Sequence, residues 1–215
     1  KRAAIAQQVV SKRHKILWDF DSDLHICADV LLTETFFLQA QDRARFLDEY
    51  LQREGRPAGP LHGLPISLKD SFCVEGLQST IGYVSFLGHA PASANSPLVT
   101  MLLQLGAVLY VKTNIPQTMM VNIPCLRKQF THTLTIYDAD SENNIFGRTL
   151  NPLNTSLTAG GSSGGEGALV AFRGSILGVG TDIAGSIRIP ALCCGVYGLN
   201  QPLHGFRLAG RSLVG

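Results

Sequence analysis

Apolar and polar positions repeat along this chain in ways that predict its elements. From Leu24 to Arg53 the residues Val30, Leu31, Phe37, Leu38, Phe46, Leu47, Tyr50 and Leu51 recur at helical spacing, and Gly55 and Pro57 follow as stop signals. This predicts a helix, with Thr33 or Thr35 exposed or at its start. The turn residues Gly59-Pro60-Leu61-His62-Gly63 lead into a short, mostly apolar strand from Leu64 to Leu68. Ser96 and Pro97 read as the cap and first turn of a helix reaching Leu105. Gly106 ends that helix, and Ala107 to Lys112 reads as a buried strand. Further on, Gly167 to Phe172 is helix-like, Ile176 to Gly180 strand-like, and Thr181 to Ser186 a loop. Helix–glycine–strand units of this kind predict an α/β sandwich with helices covering a sheet.

Composition sharpens this picture. Charged residues make up 16% of the chain, against roughly 25% in an average soluble domain, so much of the surface is meant to be buried. The net charge of +2 gives no pull toward nucleic acid or an anionic membrane. No apolar run reaches the roughly 18 residues of a spanning helix, because Arg173 interrupts the best candidate. The start, KRAAIAQQVVSKRHK, is basic but lacks an apolar stretch, which makes it a poor secretory signal and predicts a cytoplasmic protein. The missing initiator Met suggests a processed or incomplete start. Five cysteines, among them the neighbours Cys193 and Cys194, show no zinc spacing and read as reduced thiols.

The densest chemistry lies between Thr158 and Pro190. Two glycine–serine clusters stand there, Gly160-Gly161-Ser162-Ser163-Gly164-Gly165 and Ala184-Gly185-Ser186. Glycine allows positive φ and close backbone approach at an entropic cost, so two such clusters mark a site built partly from backbone. A phosphate-binding loop fits poorly, because the Lys-Ser/Thr ending is missing and Glu166 would repel the anion. A Ser-x-x-Lys site fails because Ile66 stands three residues before Lys69. His62 sits among turn residues and outside any GxSxG elbow, which argues against a histidine-based triad.

GGSSGGEGALVA followed by GVGTDIAGSIRIPA resembles the amidase signature family of serine hydrolases. The Ser162–Ser186 spacing matches that family's pair of catalytic serines, and Gly63-Leu64-Pro65-Ile66-Ser67-Leu68-Lys69-Asp70 resembles its lysine-bearing segment. Thr80-Ile81-Gly82-Tyr83, Asn114 to Met120 and Ala191-Leu192-Cys193-Cys194-Gly195 are similar to the fungal acetamidase-like branch. The resemblance runs from about Asp29 to Gly198. It implies an α/β fold, a mixed sheet with helices on both faces, here incomplete. The chain divides into a single partial domain, with a helical segment 1–58, a signature core 59–199, an insertion 121–138 and an aberrant tail 200–215.

The resemblance also implies chemistry. Ser186 would be the nucleophile, Ser162 a bridging serine held by a cis peptide bond, and Lys69 the final base. A lysine base must be neutral, so its site must depress its pKa. The backbone N–H groups of Ile183, Ala184, Gly185 and Ser186 would form an oxyanion hole, whose donors contribute about 2.7–4 kcal/mol each by deletion. Ser163, Thr181, Asp182, Arg188 and Met119 would support the site or line the substrate pocket, with Asp182 and Arg188 holding the loop more than reacting. The implied reaction is hydrolysis of a small-molecule amide through an acyl-serine, with no cofactor and no metal.

Two departures set this sequence apart. Residues 121–138, VNIPCLRKQFTHTLTIYD, interrupt the family wording and read as a translated intron, since Val-Asn can be encoded by a splice-donor-like start. After Gly198 the family's Lys-Pro-Thr-type segment gives way to Asn200-Gln201-Pro202-Leu203-His204, which reads as a frameshift or truncated gene model. An inactive fragment therefore stands beside the active amidase as an alternative. A homodimer is left open.

Overall fold

The computed structural model describes residues 31–119 and 140–200, together with the backbone of 213–214. Expectations for residues 1–30, Cys125, the segment 121–138 and most of the tail lie outside the described residues. Strand β1 (Leu32–Thr35) leads into helix α1 (Phe37–Glu54), and strand β2 (Pro65–Lys69) follows. Helix α2 (Pro97–Gln104) and strand β3 (Val108–Thr113) form the next unit. A small hairpin, β4 (Glu142–Asn143) and β5 (Gly147–Arg148), precedes helix α3 (Gly164–Ala171), strand β6 (Leu177–Thr181) and helix α4 (Arg188–Cys194). Strand β7 (Leu213–Val214) pairs with β6. The main sheet has the order β1-β3-β2-β6-β7, with β3, β2 and β6 parallel and both outer strands antiparallel to their neighbours.

Helices cover both faces, and strand alternation decides which residues meet them. Val108, Tyr110 and Val111 pack with Ala40, Ala44 and Leu47 of α1 and with Leu169 of α3. On the opposite face, Ile66, Leu68, Leu109 and Val179 pack with Val99 and Leu102 of α2. Ser67 and Lys69, which alternate with Ile66 and Leu68, therefore point to the α3 side.

Two elements differ from the sequence reading. The helix expected over 24–53 begins at Phe37, because Leu32 to Thr35 pair with β3 as an edge strand. Thr33 and Thr35 lie in that strand. The stripe that α1 buries is Ala40, Ala44 and Leu47, while Leu38 and Phe46 face outward. Small residues at i and i+4 let the helix sit close to Tyr110 and Val111, and that need outweighs the larger apolar side chains. At the far end Gly55 adopts φ 67° and donates its N–H to Leu51 O, as the stop signal predicts. Ser96 precedes α2, but its hydroxyl makes no capping bond. Helix α4 was not legible, because Pro190 suggests a break; proline is tolerated there within the first turn, where N–H groups lack intrahelical partners.

Candidate active site

Parallel strands end together, and β2, β3 and β6 deliver Lys69, Thr113 and Thr181 to one edge of the sheet. Lys69 is fully buried, and its Nζ donates to Ser162 Oγ and Thr181 Oγ1, each at 2.7 Å. Burial pushes its pKa down to about 7, against the opposing pull of the Glu166 and Asp182 carboxylates. A lysine in this state can exist as the neutral amine near neutral pH.

Ser162 reaches Lys69 because the glycine-rich loop is pinned from several sides. Gly160 takes φ 78° and the Gly161–Ser162 peptide bond is cis. Gly160 N–H donates to Thr158 Oγ1, and Ser141 Oγ both accepts from Gly164 N–H and donates to Gly160 O, each at 2.9 Å. Helix α3 then lies tight on the sheet, since a Cβ on Gly165 would stand 2.5 Å from Asn114 N. Ser163 joins the two clusters: its N–H donates to Ser186 O at 3.1 Å, and its hydroxyl meets the backbone of Thr181.

The second cluster is organised by Asp182. Its buried carboxylate accepts from the N–H groups of Gly185 (2.7 Å), Ile187 (3.1 Å) and Arg188 (3.3 Å). The Arg188 guanidinium adds Nε and Nη2 at 3.0 Å each. Burial works against the charge, yet Arg188 and the backbone donors hold the carboxyl well below the usual range. The loop places half-buried Ser186 beside Ser163 and leaves Ile183 exposed. Among the described residues no hydrogen bond joins Ser186 Oγ to Ser162 Oγ.

Sequence-predicted residues thus fall into two groups. Lys69 contacts both Ser162 and Thr181, while Asp182 and Ser186 lie on the adjoining loop with Arg188 at the start of α4, and Ser163 bonds to that loop from the first cluster. Gly185, expected as an oxyanion donor, has its N–H engaged by Asp182. Ile183, Ala184 and Ser186, the other three residues expected to donate, lie on the same loop. Met119 ends a 3₁₀ turn (Gln117–Met119) after β3, half-buried and at φ 59°. His62 lies before the start of β2, at the end opposite Lys69, where its Nδ1 accepts from Ala58 N–H.

Three residues escaped the sequence reading. Glu166 is buried on α3, with Oε2 accepting from Ser67 Oγ at 2.6 Å and Oε1 from Thr113 Oγ1 at 2.7 Å. Ser67 shares the Lys69 face of β2, a signal that strand alternation carries. A second buried lysine, Lys112, pairs with Asp70 at 3.2 Å on the other side of the strand ends. Asp70 also accepts from Thr33 Oγ1 and Ile81 N–H, so it ties β1 and the loop after β2 to the sheet.

The family model Amidase matches residues 28–207. An amidase of Gibberella moniliformis is 52% identical over 173 residues, 80% of this chain and 29% of that protein. An acetamidase of Emericella nidulans is 45% identical over 205 residues, 95% of this chain and 30% of that protein. A solved fatty acid amide hydrolase matches with a TM-score of 0.64 at 34% identity, over 88% of this chain and 33% of that one. The chain spans about 30% of the length of the curated relatives it matches.

Proposed function

The chain belongs to the amidase family, and on that premise we propose that it carries the catalytic serines and lysine of an amide hydrolase. The observation that carries the reading is the 2.7 Å bond from Lys69 Nζ to Ser162 Oγ, made by a buried amine whose pKa is pushed down to about 7. A neutral Lys69 takes a proton from Ser162, which takes one from Ser186. Ser186 Oγ then attacks the amide carbon. The developing oxyanion is met by N–H groups of Ile183, Ala184 and Ser186, Gly185 being held by Asp182. The proton returns through Ser162 to the leaving nitrogen, the C–N bond breaks, and ammonia or an amine departs. Water, deprotonated through the same relay, releases the carboxylate and regenerates Ser186. The relay follows triad logic with a lysine in place of histidine and aspartate.

The similarity to an acetamidase supports short aliphatic amides as the substrate class. The reading is tested by incubating the chain with acetamide and measuring ammonia. Release that disappears in Ser186→Ala supports it, and release that persists in that variant refutes it. A second reading, a folded relay without turnover, is favoured by two observations: Ser186 Oγ is not bonded to Ser162, and apolar Ile183, Leu192 and Leu199 stand exposed nearby. It predicts no ammonia from wild type or variant.

A further inference from the structure

We propose that Glu166 is a positioning residue for Lys69, a buried counter-charge that sets when the amine holds its proton. The proposal rests on the reading of Lys69 as the base of the relay. Glu166 stands in an otherwise small and apolar helix, GGEGALVA, with its side chain turned into the sheet. Both of its anchors flank Lys69. Ser67 lies two residues earlier on the same face of β2, and Thr113 stands across from Lys69 in the β2–β3 register. The neighbouring strand makes room for the carboxylate, since a Cβ on Gly178 would collide with Oε2. A buried carboxylate in so built a cradle needs a charge to face.

The charges around it identify that partner. Two carboxylates act on Lys69, Glu166 from α3 and Asp182 from the loop after β6. Asp182 is matched by the Arg188 guanidinium and three backbone N–H groups. Asp70, next in the chain, is paired with Lys112. Glu166 is left with hydroxyl donors, a backbone donor and Lys69. Burial drives both groups toward their neutral forms, the amine down and the carboxyl up, each to about 7. The charge on each acts on the other, the carboxylate raising the amine's pKa and the ammonium lowering the carboxyl's.

The sign of the coupling follows. A negative Glu166 opposes the effect of burial on Lys69 more than Asp182 does, so removing that charge leaves only Asp182 against burial and the amine loses its proton at lower pH. Glu166→Gln keeps the shape. One hydroxyl can still donate to the amide oxygen, while the other accepts from the amide nitrogen and donates to the carbonyl already near it, Leu177 O or Leu68 O.

The test is an NMR titration of the full chain labelled at lysine Cε, with the Lys69 signal assigned by its absence in Lys69→Met. Wild type is expected to titrate near pH 7, and the midpoint in Glu166→Gln to fall by on the order of one pH unit. Ser67→Ala, which withdraws a hydrogen bond favouring the carboxylate, is expected to shift it the same way by less. A midpoint that stays or rises in Glu166→Gln overturns the proposal; if that variant does not fold, the same result in Ser67→Ala does so. The titration does not depend on turnover. A chain without amidase activity whose midpoint still falls would sink the hydrolase reading and keep the coupling, whereas an active chain with an unmoved midpoint would sink the coupling alone.

Discussion

A buried lysine is an expensive residue for a fold to keep. The unfolded chain holds a proton on Lys69 up to its ordinary pKa of 10.5, while the folded site gives it up near 7. Between these values the unfolded state binds more protons, so stability rises with pH through that window. Lys69→Met combined with Glu166→Gln removes this cost without leaving the buried Glu166 carboxylate facing no charge. It is expected to raise Tm at neutral pH, by roughly 2–4 °C for each kcal/mol recovered, with the advantage shrinking toward pH 10.5. Thermal melts across that range check it. Asp182 behaves in the opposite way, because its charge is satisfied by five donors. Asp182→Asn turns an NH₂ group toward donors, and is expected to slow modification of Ser186 at least about tenfold, since a lost charged hydrogen bond costs about 1.5–3 kcal/mol. Reaction with a fluorophosphonate, followed by intact mass, measures this. At this scale motif wording points to Lys69 and Ser162, which the structure brings into contact, and to Ser186, which lies on the adjoining loop. It does not point to Glu166, because a lone acidic residue in a glycine run reads as surface until the tertiary fold turns it inward.

Elements carry the next layer. The buried strands β2 and β3 and their following residues were legible because continuous apolar runs bounded by glycine and proline leave few alternatives. Strand β1 reads as helix in the sequence, since Val30, Leu31, Phe37 and Leu38 recur at helical spacing, and only pairing with β3 distinguishes the two. Helix α3 shows why the glycines are needed: the positions of Gly164, Gly165 and Gly167 touch Ser141, Asn114 and Pro190 so closely that a Cβ has no room. Gly165→Ala sets a methyl against the Asn114 backbone at 2.5 Å. It is expected to destabilise the fold by about 1–3 kcal/mol, the usual cost of overpacking. Urea unfolding should show a lower midpoint with an unchanged slope.

For the whole molecule, the sheet with helices on both faces matches what the motif wording implied, and the family model covers residues 28–207. What no local pattern reveals is which apolar residues stay outside. Leu192, Tyr197 and Leu199 are 84%, 107% and 67% exposed, a concentration that marks an association-prone face. Leu192→Gln combined with Leu199→Gln is expected to reduce self-association at high concentration, as read by sedimentation velocity, without a lower Tm. The relay itself is tested most directly by fluorophosphonate labelling of the chain at neutral pH, with the modified peptide identified by mass. Modification at Ser186 that is lost in Ser186→Ala and strongly slowed in Ser162→Ala and Lys69→Met is the predicted result. Modification at another residue, or labelling of Ser186 at an unchanged rate when Lys69 or Ser162 is replaced, would contradict the proposed relay.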